Sequence, residues 1–304
     1  MRKSRWIVVL SCIVALMSAL AFVRFGEQWR QTRFQATLPE AQTFEEVGTL
    51  TDKNIPFVFP LELEETERDV LVIANERDPS SVALANEEAI STPEQDAALI
   101  TTDDVRPTTD DSINLAVPFT SQAPHANWDL PYQESCEEAS VLMAVDFFDD
   151  ALVDLSTADA ADAEILSLVA FQTERYGDYL DTTAAETVRF ASQKYEHILF
   201  SRLENPSVVD LQSALLKGHL VIVPAYGRAL GNPNFTGEGP LYHMLVLRGF
   251  DAKRGIFIVN DPGTRNGASY VYREDVLMNA IGDWNDGDPE HGAKVVIVVS
   301  PRVR

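Results

Sequence analysis

The chain has 304 residues, 45% of them hydrophobic, and a formal net charge of -23. Such apolar content supplies one or two folded cores, and such negative charge excludes nucleic acid as a partner, because a phosphate backbone would be repelled. The charge is uneven: residues 36 to 112 hold 19 Asp or Glu against 4 Lys or Arg, a net of -15 in that stretch alone.

In chain order, the first element is Trp6 to Val23, 18 residues without a charge. At the rise of an α-helix it spans roughly 27 Å, close to the hydrocarbon thickness of a bilayer, so a single transmembrane helix is expected within residues 1 to 24. Arg2, Lys3 and Arg5 precede it and Arg24, Arg30 and Arg33 follow it, so the positive-inside rule is a weak guide to orientation. An uncleaved N-terminal anchor, with the rest of the chain outside the cytoplasm, is the expected arrangement. Cys12 would then lie in the bilayer, out of reach of Cys136, the other cysteine. An unpaired thiol in an exported protein is an oxidation liability and is flagged as reactive.

Residues 25 to 112 read as an acidic spacer. Apolar patches at Ile55 to Leu63 and Val70 to Ala74 suggest a small β element, while Ser80 to Ser112 has few large apolar residues and reads as linker. From residue 113 to 304 the pattern is globular. Leu115 to Thr120 is expected as a strand, then Glu137 to Phe148, Thr182 to Tyr195 and Val208 to Leu216 as helices. Leu220 to Pro224, Leu241 to Phe250, Ile256 to Asn260, Ser269 to Tyr272 and Lys294 to Val299 are expected as strands. Helices followed by strands imply an α+β domain with a largely antiparallel sheet.

Three segments carry chemistry. Ser135-Cys136-Glu137-Glu138 fits a capping box, with Ser135 at the N-cap and Cys136 first in the helix. The helix dipole favours a thiolate there, and Glu137 and Glu138 oppose it, so a thiolate needs an imidazole from elsewhere. Of the five histidines, His243 has the best context, sharing a strand face with Leu241, Leu245 and Leu247. If the turn Asp251 to Gly255 closes a hairpin, Asp261 falls opposite His243 and can orient the ring, with Asn260 as the lesser candidate. Acyl transfer also needs oxyanion donors, for which the Cys136 amide and the side-chain amide of Gln122 are chosen; Gln133 stands too close to the cysteine. His125, His197, His219 and His291 are expected on loops or the surface, and Gly227 to Pro240 as a flap or an ordinary excursion. The acidic run Asp283 to Asp288 breaks calcium-loop spacing, so no metal and no cofactor is assigned.

The stretch Val-Pro-Phe-Thr-Ser-Gln122, Cys136-Glu137 opening a helix, His243 on a strand and Asp261-Pro262 after the next one resemble the papain-like cysteine peptidases related to the double-glycine, or bacteriocin-leader, peptidases. The resemblance implies a helix bearing the Cys packed on an antiparallel sheet bearing the His and Asp. It implies Gln122 as oxyanion donor, Cys136 as nucleophile, His243 as general base and Asp261 as orienter. Fourteen positions separate Gln122 from Cys136, so His125 to Pro131 stands as an insertion relative to the family, and no transporter or ATPase segment accompanies the domain. The expected activity is hydrolysis of a peptide or amide bond through a thioester, on a peptide or protein that includes cell-wall peptides among its candidates. The rival classes are a transglutaminase-like acyl transferase and a catalytically silent tethered binding module.

Overall fold

The computed structural model describes residue 26, residues 29–51 and residues 107–302. The expected membrane segment, the patches at 55–63 and 70–74 and most of the linker lie outside these residues. Among the described residues no helix is long and apolar enough to cross a membrane.

Residues 29–35 are helical. Helix α1, Phe44–Thr51, precedes a short strand β1, Ser112–Asn114. Three helices follow: α2, Cys136–Phe148; α3, Ala158–Tyr176; and α4, Ala184–Lys194. Then come β2, Ile198–Glu204, α5, Val208–Leu216, β3, Leu220–Tyr226, β4, Tyr242–Asp251, and β5, Ile256–Asn260. The chain closes with β6, Tyr270–Arg273, α6, Glu274–Ala280, and β7, Val295–Pro301.

The strands form one seven-stranded sheet in the order β2-β7-β3-β4-β5-β6, with β1 paired to the end of β4. Every pairing is antiparallel, as the sequence implies. Helix α2 packs on β3, β4 and α3, and it is buried on nearly every side, from Cys136 through Val145. That is why its hydrophobic residues do not form one stripe: a helix enclosed on all faces has no solvent face to keep polar. Leu142, Met143, Ile222, Leu245 and Phe250 form part of the core and are fully buried.

Local sequence sets the helix ends. Thr183 and Ser207 make capping boxes with Glu186 and Asp210, satisfying amides that a helix start leaves without partners. The short elements α1, β1 and α6 escaped the sequence reading, and so did two longer ones. Helix α3 buries only Ala161, Ile165, Leu168 and Gln172, too narrow and polar a stripe to stand out. Strand β2 alternates in burial, but only Ile198 and Phe200 lie inside and its second half carries Arg202 and Glu204, so its apolar pattern is too weak to announce itself. Leu115 to Thr120, expected as a strand, is irregular apart from a single bridge from Leu115 to Gln42.

The spacer expected from residue 25 does not hold over residues 29–51, which pack on the same compact unit as residues 107–302. Gln31 donates to the Val271 carbonyl and accepts from its amide, at 2.8 and 3.1 Å. Residue Gln42 exchanges backbone hydrogen bonds with Asn114 and Ala116, and Val47 is buried against Gly218. Composition points to a spacer because these contacts are made by a few polar side chains and backbone groups rather than by an apolar run.

Candidate active site

Cys136 is the first helical residue of α2 with Ser135 at the N-cap, as expected, but the capping box is not made. Ser135 Oγ donates instead to the Pro131 carbonyl at 3.0 Å. Glu138 is drawn into the interior, where Oε1 accepts from Gln172 Nε2 on α3. The helix face that would fold back onto the cap is here packed between helices, and packing overrides the local motif.

The sulfur of Cys136 lies 2.9 Å from Glu137 Oε2. Glu137 Oε1 accepts the Thr182 amide at 3.1 Å. Burial first, and then the neighbouring Glu137 carboxylate, push the thiol well above its ordinary range, while the Met244 amide hydrogen-bonded to the sulfur pulls the other way. Burial and then Glu138 push Glu137 well up as well. Glu138 itself is raised to about 8, chiefly by burial. The opposition of these carboxylates to a thiolate is the sign the sequence predicts.

His243 stands near the start of β4 and is buried. Its Nε2 lies 2.8 Å from Asp261 Oδ1. The two residues are not directly opposed as the expected hairpin register has it. Val246 pairs with Asn260, so one step farther sets Leu245 opposite Asp261, and the carboxylate reaches His243 along the diagonal. The turn sets this register by placing Asp251 opposite Ile256, and the bulge between Leu247 and Gly249 then slips β4 by one residue, so that Leu245 rather than Val246 falls opposite Asp261.

Asp261 is fully buried and fully partnered. Tyr272 Oη and Asn232 Nδ2 donate to Oδ2 at 2.8 and 3.0 Å, and the Gly263 amide donates to Oδ1 at 3.1 Å. Burial, the largest single influence, would raise its pKa, but His243, Tyr272 and Asn232 together outweigh it and hold the carboxyl below its ordinary value. The imidazole is wedged in place. The Phe235 ring meets it edge-on at 5.5 Å, and a Cβ on Gly263 would lie 2.8 Å from His243 Cε1, so residue 263 has no room for a side chain. With Nε2 engaged by Asp261, Nδ1 is the nitrogen left for proton transfer.

Gln122 reaches the site, though not with its amide free. Its backbone N–H donates to the Pro262 carbonyl. Its Nε2 donates to the Tyr132 and Gln133 carbonyls at 2.9 and 3.0 Å, which uses both hydrogens and leaves Oε1 buried without a partner. Here Gln122 ties the loop before Cys136 to the loop after Asp261. Gln133 Nε2 is taken by Glu134. Asn260 faces away from His243, donating to the Val117 and Pro118 carbonyls. The Cys136 amide opens the helix and points to no carbonyl, as the first amides of a helix do not.

A cavity of about 1040 Å³ joins these residues, lined by Gln122, Cys136 and His243 together with Trp128, Phe235 and Trp284. Among the five histidines only His243 lines it. Residues 233–236 and 239–240 form one wall, so the Gly- and Pro-rich stretch is a cleft wall. Gln31, Thr32 and Gln35 form another. Sequence reasoning missed these three, as well as Asn232 and Tyr272; only the alternation of Tyr270 and Tyr272 on a strand hinted at an inward hydroxyl. Among the described residues no cluster of His, Cys, Asp and Glu could hold a metal ion.

Against known proteins, the model of the peptidase C39-like family matches residues 114–287. No curated protein matches the chain. Among solved structures, one described as a candidate C39-like peptidase from Bacillus anthracis is 14% identical, covers 64% of this chain and 100% of its own, and has a TM-score of 0.41.

Proposed function

The chain belongs to the peptidase C39-like family and is a cysteine peptidase acting on a peptide or protein, and from that premise we propose that Cys136 is its nucleophile, His243 its general base and Asp261 the orienting carboxylate. The single observation that carries this reading is the buried His243–Asp261 pair, 2.8 Å apart, beside a cavity that Cys136 also lines.

The chemistry follows from these groups. The Cys136 S–H proton passes to His243 Nδ1 and the thiolate attacks the scissile carbonyl. Asp261 stays ionised and stabilises the imidazolium while fixing which ring nitrogen faces the sulfur. The Cys136 amide receives the developing oxyanion; Gln122 Nε2 joins it only after leaving the Tyr132 and Gln133 carbonyls. The imidazolium then protonates the leaving amine, and a thioester remains. Water, deprotonated by His243, hydrolyses the thioester and regenerates the thiol.

We further propose that residues 6–23 anchor the protein in a membrane by a single span, with the catalytic unit outside the cytoplasm. The support is the uncharged length of that segment and the unpaired thiol noted above. External protease that removes the catalytic unit from intact cells is the expected result; full protection would reverse the orientation.

An epoxysuccinyl peptide tests the triad, since ring opening by a thiolate needs a positioned proton donor. Mass spectrometry of the full chain is expected to find one adduct on Cys136, lost in Cys136→Ala and slowed at least 100-fold in His243→Ala. Absence of any adduct on the wild type would leave a catalytically silent binding module as the better description of the domain.

A further inference from the structure

The contact between Cys136 and Glu137 has no part in the reaction sequence above, yet it is the one side-chain hydrogen bond the thiol makes among the described residues. Resting on the reading of Cys136 as the nucleophile, we propose that Glu137 is a positioning residue that holds the Cys136 thiol at rest, away from His243, so that the thiolate forms only when the sulfur is released from the carboxyl.

The geometry is that of a fixed clasp. Glu137 is 1% exposed, so its carboxyl cannot swing into solvent. The Thr182 amide fixes Oε1 at 3.1 Å, which leaves Oε2 facing the sulfur at 2.9 Å. Thr182 is itself held, because the Tyr242 hydroxyl bridges its carbonyl and the Asp283 carboxylate. The groups that face Glu137 are Cys136 and Glu138 on its own helix, Asp181 on the turn before α4, and Tyr242 on β4. Among the described residues no cation pairs with it, so nothing on these elements offsets its charge. Once that carboxyl is ionised, the sulfur beside it keeps its proton, since a thiolate 2.9 Å from a carboxylate in a buried site would set two like charges together. Release transfers the S–H proton to His243 Nδ1, converting the neutral thiol and imidazole into a thiolate and an imidazolium, and leaves the Glu137 carboxyl bonded to Thr182 alone.

The clasp also predicts a ranking of variants. In Glu137→Gln the Thr182 amide still requires an acceptor at Oε1, so the side-chain NH₂ must face the sulfur and donate to it, which favours the thiolate. In Glu137→Met both the acceptor and the donor are gone. A merely structural role for Glu137 would predict that Met and Gln alter stability without ordering the reactivity of the thiol.

The test is the rate of iodoacetamide alkylation of Cys136 against pH in the full-length chain, for the wild type and both variants. The midpoint is expected to fall in the order wild type, Met, Gln, with Gln at least one pH unit below the wild type, or about tenfold faster at a fixed pH below the midpoint. Coincident profiles for wild type and Gln would overturn the proposal. Because a buried substitution can impair folding, the wild type gives a second readout. Alkylating Cys136 should shift the carboxyl C=O band in the infrared difference spectrum, and an unchanged band would also overturn it. Failure of the triad itself reads out separately, as the loss of epoxysuccinyl labelling, which leaves these profiles unaffected.

Discussion

Burial without a countercharge makes Glu137 and Glu138 the residues that set how this fold responds to pH. Both carboxyls are raised by desolvation, so the native state holds protons that the unfolded chain gives up near the ordinary Glu value of about 4.3. A group raised on folding contributes its stability below the unfolded value and loses it as pH rises through the folded one, about 8 for Glu138. Asp261 is lowered and has the opposite sign: its contribution is present above about 3.9 and disappears as pH falls below that. Thermal unfolding is therefore expected to show greatest stability near pH 5, declining toward pH 8, with the alkaline decline flattened in Glu138→Gln. A variant that declines as steeply as the wild type would remove Glu138 as the cause. The support around Asp261 is testable one donor at a time. Tyr272→Phe deletes a hydrogen bond to a buried carboxylate, worth about 2 kcal/mol, and kcat should fall more than KM changes, because the ring is held less firmly rather than the substrate less tightly.

At the scale of elements, what the sequence revealed and what it hid separate by physical cause. Val208 to Leu216 and Ile256 to Asn260 were readable to the residue because a capping serine begins the first and turns bound the second. Cys136 and His243 were readable because each sits where an element starts and the chemistry of its side chain is rare in the chain. The diagonal approach of Asp261 was hidden by where the turn between β4 and β5 closes, with Asp251 opposite Ile256, and the missing capping box by tertiary packing that claimed Glu138 for Gln172. The docking of residues 29–51 was hidden most thoroughly, since it depends on scattered contacts, among them one polar side chain closing a sheet edge. Strand β6 ends the sheet, and Gln31 supplies the donor and acceptor that a further strand would otherwise provide. Gln31→Ala should therefore accelerate hydrogen exchange of the Val271 amide while Tyr272, whose neighbours on β5 are untouched, keeps its protection. Equal protection in wild type and variant would show that the edge needs no cap.

At the scale of the molecule, the catalytic unit is longer than its family segment. Residues 114–287 match the family, yet β7 lies between β2 and β3 in the sheet, and Gln31, Thr32 and Gln35 close one wall of the cleft. A chain begun at residue 113 loses the Gln31 and Gln42 hydrogen bonds and the burial of Val47, together on the order of 3 kcal/mol. It should melt several degrees below the full chain at equal pH. The stretch between these parts, residues 52–106, holds 14 Asp or Glu against 4 Lys or Arg, a net of -10, so most of the net charge of -23 is carried by the folded residues themselves.

The central claim is that Cys136, His243 and Asp261 hydrolyse a peptide bond together, and the most direct measurement is cleavage of a quenched-fluorescence peptide library by the full-length protein and its Cys136→Ala, His243→Ala and Asp261→Ala variants. Hydrolysis by the wild type, with at least a thousandfold loss in the first two variants and a substantial loss in the third, is the predicted result. Hydrolysis that persists in Cys136→Ala would contradict the claim outright.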